Sequence, residues 1–329
     1  MKVRGVRLVG KRAVDLVERD LEVGADDILV KTHLAGICGT DKNFYEGVFP
    51  KGSGLDTETR KALVYPFFFG HEGGGTVIAA GDKVRGFAVG DRVISFAWVD
   101  TLADHFVARA EDLERVPEGL DLDLACLGEP IGCAVFSGLE SSVQLGDTVA
   151  VYGVGFAGQI VAQVAKRKGA HRVIVVDVVE EKLALATTLG ADAAVHARRE
   201  DPVAAILALT GGRGADVVVE MAGSQEAVNC CTASVRKNGT VIFYSWITQD
   251  VTLNISRWHN DSLRILNTGL VHHTLAERQL WTPHALRPVI QGLVNVRPLI
   301  THEYPLDEIG RAFETASGDP GAIKVVVRP

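Results

Sequence analysis

The sequence predicts a two-part α/β protein: an antiparallel β domain that opens the chain and takes back its tail, and a doubly wound parallel-sheet domain between them. Three observations lead there. Up to about residue 130 short alternating runs are separated by Gly, Asp and Pro; from Thr148 continuous Val/Ile runs alternate with helical stretches; and the chain closes on Ile323-Lys-Val-Val-Val327, a strand that must find a sheet. At 329 residues there is room for two cores, since a single core seldom grows beyond about 250–300 residues. The expected division is residues 1–130 with 275–329, and 131–274.

In the first part, Ile28–His33, Gly75–Ile78 and Arg92–Ile94 alternate apolar and polar residues between turn formers, the pattern of antiparallel strands with one buried face. The second part reads as strands Val149–Tyr152, Val173–Asp177, Ala193–His196, Val217–Glu220, Val241–Tyr244 and Arg264–Leu266, interleaved with helices such as Ala157–Lys168, Glu180–Thr188 and Pro202–Leu209. Uninterrupted Val/Ile strands between helices are buried on both faces, which makes them parallel strands covered by helices. Residues 275–329 add a long helical segment and the closing strand, assigned to the first domain; Lys51–Lys61 reads as a polar surface loop.

Hydrophobic residues make up 47% and charged residues 23% of the chain, an ordinary globular balance. The net charge of −7 and the lack of any Lys/Arg block argue against a nucleic-acid or anionic-membrane partner. No apolar run approaches the ~20 residues a bilayer requires. The start Met1-Lys-Val-Arg4 leads into a strand and not an apolar signal core. Cys38, Cys126, Cys133, Cys230 and Cys231 form an odd set without disulfide-framework spacing; the adjacent pair reads as small buried residues on a helix. A reducing compartment, the cytoplasm, is expected.

Gly153-Val-Gly155-Phe156-Ala157-Gly158 follows an apolar strand and opens a helix. There glycines permit a tight turn and let backbone N–H groups and the helix dipole meet a pyrophosphate. Asp177 ends the next strand, at the spacing of roughly 20 residues that places a carboxylate on the adenosine ribose hydroxyls. That carboxylate repels a 2′-phosphate, and Val178-Val179 supply no Arg to offset it, so NAD(H) is expected in preference to NADP(H).

Cys38 in Gly36-Ile-Cys-Gly-Thr-Asp41 and His71-Glu72 supply thiolate, imidazole and carboxylate, and Glu129 in Gly128-Glu-Pro-Ile131 adds a second carboxylate near the domain junction. A catalytic zinc takes three protein ligands and keeps one position open. Cys38 and His71 are two candidates and Glu129 the third.

These motifs, with Gly70-His-Glu-Gly-Gly-Gly75, Gly90-Asp-Arg-Val93 and Glu129-Pro130 in the same order, resemble the zinc-dependent medium-chain dehydrogenase/reductase superfamily, the alcohol and polyol dehydrogenases, over nearly the whole chain. The resemblance implies a GroES-like antiparallel catalytic domain and a Rossmann domain. It implies Cys38, His71 and Glu129 as zinc ligands, Glu129 standing where alcohol dehydrogenases place a Cys and polyol dehydrogenases a Glu. Glu72 becomes a near-zinc carboxylate able to exchange with water as a ligand, Thr40 the hydroxyl that relays the substrate proton, and Asp41 a carboxylate beside the site. Phe156 and Ala157 belong to the cofactor loop, Lys182 matches the basic residue at the adenosine ribose, and Lys324 the cation at the pyrophosphate. A solvated helix face and an exposed strand end account equally well for the two lysines.

Three departures shape the expectation. The family's four-cysteine structural zinc lobe should follow Arg92-Val-Ile94, yet Ser95–His105 contains no Cys, so one catalytic zinc per chain is expected and no structural one. Asn43 stands where many relatives have His, and an amide cannot pass a proton as imidazole does; ribose hydroxyl and water are the alternative route. Tyr244-Ser-Trp246 gives an aromatic wall where relatives often have small residues. The harder ligand set with Glu129 resembles sorbitol-type sites, so a secondary alcohol of polyol, sugar or cyclitol type with NAD is the expected substrate pair. Phe44, Tyr45, Phe96 and Trp98 are candidates for the pocket or for plain core. A carbonyl reductase of secondary metabolism, an enzyme that holds NAD tightly for epimerisation or elimination, and a non-catalytic NAD-binding protein remain open. A homodimer or homotetramer is expected by analogy.

Overall fold

The computed structural model describes residues 1–49, 64–247, 249–268 and 275–329; the expected loop Lys51–Lys61 lies outside them. The chain divides into two compact units, Met1–Pro130 with Arg297–Pro329, and Ile131–Val296.

The first unit opens with β1 (Lys2–Gly10), β2 (Ala13–Asp20), β3 (Asp27–Gly36), α1 (Gly39–Tyr45), β4 (Phe67–Phe68), β5 (Glu72–Ala80), β6 (Arg92–Ser95), β7 (His105–Arg109), β8 (Leu113–Arg115) and α2 (Leu122–Cys126). Helix α3 (Gly128–Glu140) follows. The second unit continues with β9 (Thr148–Tyr152), α4 (Phe156–Arg167), β10 (Arg172–Asp177), α5 (Glu180–Thr188), β11 (Ala193–His196), α6 (Pro202–Leu209), β12 (Ala215–Glu220), α7 (Gln225–Ser234), β13 (Val235–Phe243), α8 (Ser256–Asn260), β14 (Arg264–Asn267) and α9 (Leu275–Ile290). The tail, β15 (Ile300–Pro305), α10 (Ile309–Gly318) and β16 (Lys324–Arg328), belongs to the first unit.

In the first unit β16 pairs antiparallel with β3, within a sheet of order β15-β16-β3-β5-β6-β8, with β7 also on β3. The antiparallel register of β3 with β5 sets Gly36 opposite Glu72. Cys38 lies just beyond the end of β3 and His71 just before the start of β5, so pairing alone brings two distant candidates to one sheet end. Gly36 is required there: a Cβ would stand 2.3 Å from Glu72 Oε2 and 2.7 Å from Leu127 Cδ2.

In the second unit the parallel order is β11-β10-β9-β12-β13-β14. Alternate residues of each strand enter different cores: Val149, Val151, Val173 and Val175 one, Ala150, Tyr152, Ile174 and Val176 the other. Burial on both faces is what the continuous apolar runs require.

One boundary differs from expectation: the chain returns to the first unit at Arg297 and not at 275. Helix α9 is held by the second unit's own side chains, with Trp281 edge-on to Phe136 at 4.9 Å. Beyond it the Asn295 N–H donates to Gln163 Oε1 at 2.7 Å, and Gln163 Nε2 donates to Asn295 O at 3.1 Å.

Candidate metal and nucleotide sites

Three potential ligand atoms, from Cys38, His71 and Glu72, lie within 4.8 Å of one another, the group among the described residues able to hold a metal ion. The start of α1 fixes Cys38: the Asp41 carboxylate, wholly buried, accepts the Cys38 N–H at 2.9 Å through Oδ2. Its other oxygen, Oδ1, faces His71 Nδ1 at 3.7 Å. Neither of those two buried atoms has a hydrogen bond among the described residues. A carboxylate behind a ligating imidazole is the usual means of orienting it. Burial pushes the Asp41 carboxyl up to about 6 against the pull of His71. Burial works against a charged His71, yet Cys38 and Asp41 raise its pKa well above the ordinary value.

Glu72 is gripped from behind. Lys324 Nζ donates to its Oε1 at 2.9 Å and its Oε2 at 2.7 Å, with both side chains almost fully enclosed. Burial disfavours the ammonium, but Glu72 more than compensates and raises the Lys324 pKa. Lys324 is therefore not the exposed strand end that was one of its two expected readings; β16 carries it into the first unit's interior, against Glu72. Thr101 was not singled out from sequence; its hydroxyl donates to the Glu72 carbonyl at 3.2 Å.

Glu129 is not among the three converging residues. It sits half-buried in the first turn of α3, close enough for its charge to raise the pKa values of His71 and Lys324. Thr40 lies partly buried in the first turn of α1. Phe44, Tyr45 and Phe96 are buried, the first two in the core that also holds Phe313. Trp98 alone of the four aromatics is exposed, at 49%, with its ring 4.4 Å from that of His71.

The residues present fit a zinc ion: sulfur, imidazole and carboxylate converge, and a second carboxylate faces His71 Nδ1, which leaves Nε2 for a metal.

In the second unit the glycine loop has three distinct local reasons. Gly153 takes φ +88°, a Cβ on Gly158 would stand 2.0 Å from Gly153 O, and Gly155 opens onto empty space. That space lies at the start of α4, whose first N–H groups have no intrahelical partner. Phe156 is buried and Ala157 half-buried in its first turn. Asp177 Oδ2 accepts the Val154 N–H at 2.8 Å, and Oδ1 accepts those of Val178 and Val179 at 2.7 and 3.0 Å. Lys182 is half-buried, in α5. Gln159, also not foreseen, donates from Nε2 to Val154 O and Lys182 O, tying the glycine loop to α5. Tyr244 packs with Cys133, Phe136 and Trp281, while Trp246 is exposed.

Comparison with known proteins agrees with both halves. Residues 24–132 match the model of the alcohol dehydrogenase GroES-like domain, and residues 157–282 that of the zinc-binding dehydrogenase. The chain is 30% identical to L-threonine 3-dehydrogenase of Bacillus subtilis over 94% of this chain and 92% of that one. It is 29% identical to the L-threonine 3-dehydrogenase of Pseudoalteromonas atlantica over 92% of each. Among solved structures, an NADP-bound Sinorhizobium meliloti protein assigned as a zinc-binding dehydrogenase superposes with TM-score 0.85 at 26% identity, covering all of both chains. 2R,3R-butanediol dehydrogenase of Bacillus subtilis shares the fold, with TM-score 0.83 at 21% identity over 99% of each chain. No helix among the described residues is long and apolar enough to cross a membrane.

Proposed function

The chain belongs to the zinc-dependent medium-chain dehydrogenase/reductase superfamily, and from that premise we propose that it oxidises a secondary alcohol of the polyol, sugar or cyclitol class with NAD, using one catalytic zinc per chain. The observation that carries this reading is the convergence of Cys38, His71 and Glu72 within 4.8 Å. When bound, zinc supplies Lewis acidity at the substrate oxygen and the nicotinamide supplies the hydride acceptor.

The protein's own residues do the rest. Cys38 and His71 hold the metal, Asp41 orients His71, and Lys324 sets where the Glu72 carboxylate stands. Glu129, close enough to influence His71, is the remaining candidate ligand. Thr40 would take the hydroxyl proton onward, and Asn43, an amide that cannot titrate, would not pass it on as an imidazole does. Trp98 beside His71 supplies an apolar face to the carbon skeleton of the substrate. On the nucleotide side, Asp177 with its three backbone N–H contacts supports NAD over NADP. The NADP-bound relative makes that preference a point to measure.

A second reading has an observation in its favour: the L-threonine 3-dehydrogenases among its relatives make a 3-hydroxy amino acid the competing substrate. A panel of polyols, cyclitols, L-threonine, other amino alcohols and aryl alcohols, each with NAD and NADP and followed at the absorbance of NADH, separates the readings. Turnover with cyclitols or polyols supports the first and turnover with L-threonine the second; product without net NADH points to transient oxidation on a retained cofactor. A purified chain that binds NAD but no zinc and turns over nothing overturns both. A cytoplasmic homodimer or homotetramer completes the proposal, the assembly being readable by light scattering.

A further inference from the structure

Glu220 ends β12, is wholly buried, and has no part in the chemistry described above. Its position in the sheet gives it significance. The order β11-β10-β9-β12-β13-β14 reverses direction between β9 and β12, and sheets of this kind bind dinucleotides outside the strand ends at such a reversal. Asp177 closes β10 on one side of β9 and Glu220 closes β12 on the other. With the adenosine ribose at Asp177, the nicotinamide half extends toward the β12 side.

Glu220 organises the loop on that side. Its Oε1 accepts the N–H groups of Ala222 at 2.7 Å and Gly223 at 2.6 Å. The Met221 N–H donates to Tyr152 O at 2.8 Å, fastening the loop to the end of β9. Ala222 in turn abuts the first glycine of the nucleotide loop: a Cβ on Gly153 would stand 2.8 Å from Ala222 N. The second oxygen, Oε2, is buried without a well-formed hydrogen bond among the described residues, and the Ser245 hydroxyl beside the carboxyl favours its charged form.

We propose that Glu220 is a positioning residue for the cofactor, holding Ala222 and Gly223 against Gly153 so that the nicotinamide-side half of the dinucleotide site keeps its shape while the adenosine side depends on Asp177. This inference rests on the dinucleotide reading of the glycine loop. It makes the two halves of the cofactor respond differently to one substitution. Removing the carboxylate leaves two N–H groups without their acceptor, freeing Ala222 from Gly153 but leaving the Asp177 contacts untouched.

The test is calorimetric titration of NAD and, separately, AMP into the wild-type chain and into Glu220→Ala and Glu220→Gln, with no turnover required. In Glu220→Ala NAD affinity falls on the order of tenfold, as expected for two weakened hydrogen bonds, while AMP affinity stays at the wild-type value. Glu220→Gln restores NAD binding, because its amide oxygen accepts from the same N–H groups. Should Glu220→Ala not fold, Glu220→Asp, one methylene short of the loop, gives the same split between NAD and AMP. Equal loss of both ligands, unchanged NAD binding, or a Gln variant no better than the Ala variant overturns the proposal. A wild-type chain that binds neither ligand overturns the dinucleotide reading itself, a separate result.

Discussion

Replacing Lys324 by methionine tests the least expected feature of the metal site. The Lys324 ammonium contacts both oxygens of Glu72, at 2.7 and 2.9 Å, with side-chain exposures of 5% and 1%. Methionine fills much of the same volume but leaves Glu72 as an unpaired buried carboxylate. Breaking such a pair from one side costs about 3–5 kcal/mol. At about 2–4 °C per kcal/mol for a unit of this size, the melting temperature falls by roughly 6–20 °C. Removing the charge as well, in Glu72→Gln with Lys324→Met, recovers most of the loss, because what is costly is the uncompensated charge. The assay is thermal and urea unfolding of zinc-free protein for both variants, with NAD titration alongside. A Lys324→Met variant within about 1 kcal/mol of wild type, but with weakened NAD binding, refutes this reasoning and returns the ammonium to the pyrophosphate.

Cys38→Ser removes both zinc, read by elemental analysis, and turnover, while NAD affinity by titration stays near wild type; retained turnover takes Cys38 out of the site. Asp177→Ala deprives Val154, Val178 and Val179 of their acceptor and weakens NAD(H) far more than NADP(H), an equal loss in both being the contrary result. Burial pushes the Asp123 carboxyl up, but hydrogen bonds from Arg328, His33 and Arg297 bring it down to about 2. Its contribution is whole above the unfolded carboxylate value near 4 and fades as pH falls through about 2. Asp123→Asn therefore lowers the unfolding free energy measured in urea at pH 5, by on the order of 1 kcal/mol at this partly exposed site. The gap from wild type should close as the pH approaches 2, and a gap independent of pH counts against the charge as its cause.

The parallel strands were legible because burial on both faces writes continuous Val/Ile runs, and β11, α5 and α6 have the predicted limits. The return to the first unit was not: α9 is polar on much of its length, and its attachment depends on Trp281 meeting Phe136 and on Gln163 meeting Asn295, contacts between residues far apart in sequence. Cys38 and His71 were legible as a thiol and an imidazole in Gly-rich runs, and the β3–β5 register explains why they converge. The role of Lys324 was hidden for the opposite reason: a lysine near a chain end reads as solvated, and only the pairing of β16 with β3 shows that it points inward, to Glu72. Phe44 and Phe96 could not be divided from Trp98 by sequence, since an aromatic ring in core and one beside a site have the same composition signal.

Asp177 and Glu220 make the same point about the nucleotide loop from two sides. A run such as Gly153–Gly158 has backbone freedom where a dinucleotide needs close approach, and that freedom leaves its shape undetermined by its own side chains. Shape has to come from neighbours whose geometry the sheet already fixes. Asp177, at the end of β10, takes the Val154 N–H; Glu220, at the end of β12, holds the Ala222 segment that lies against Gly153. Both are carboxylates on the two strands that flank β9, both accept backbone N–H groups, and neither needs the ligand present to do so. Only Asp177 carries a recognisable spacing from the glycines, the spacing at which a carboxylate reaches the ribose hydroxyls in dinucleotide sites of this type. Glu220 ends an apolar strand at a distance set by the βαβ crossover, and in the sequence it is indistinguishable from a strand terminator. A motif search therefore finds the residue proposed to touch the ligand and passes over the one that shapes the loop.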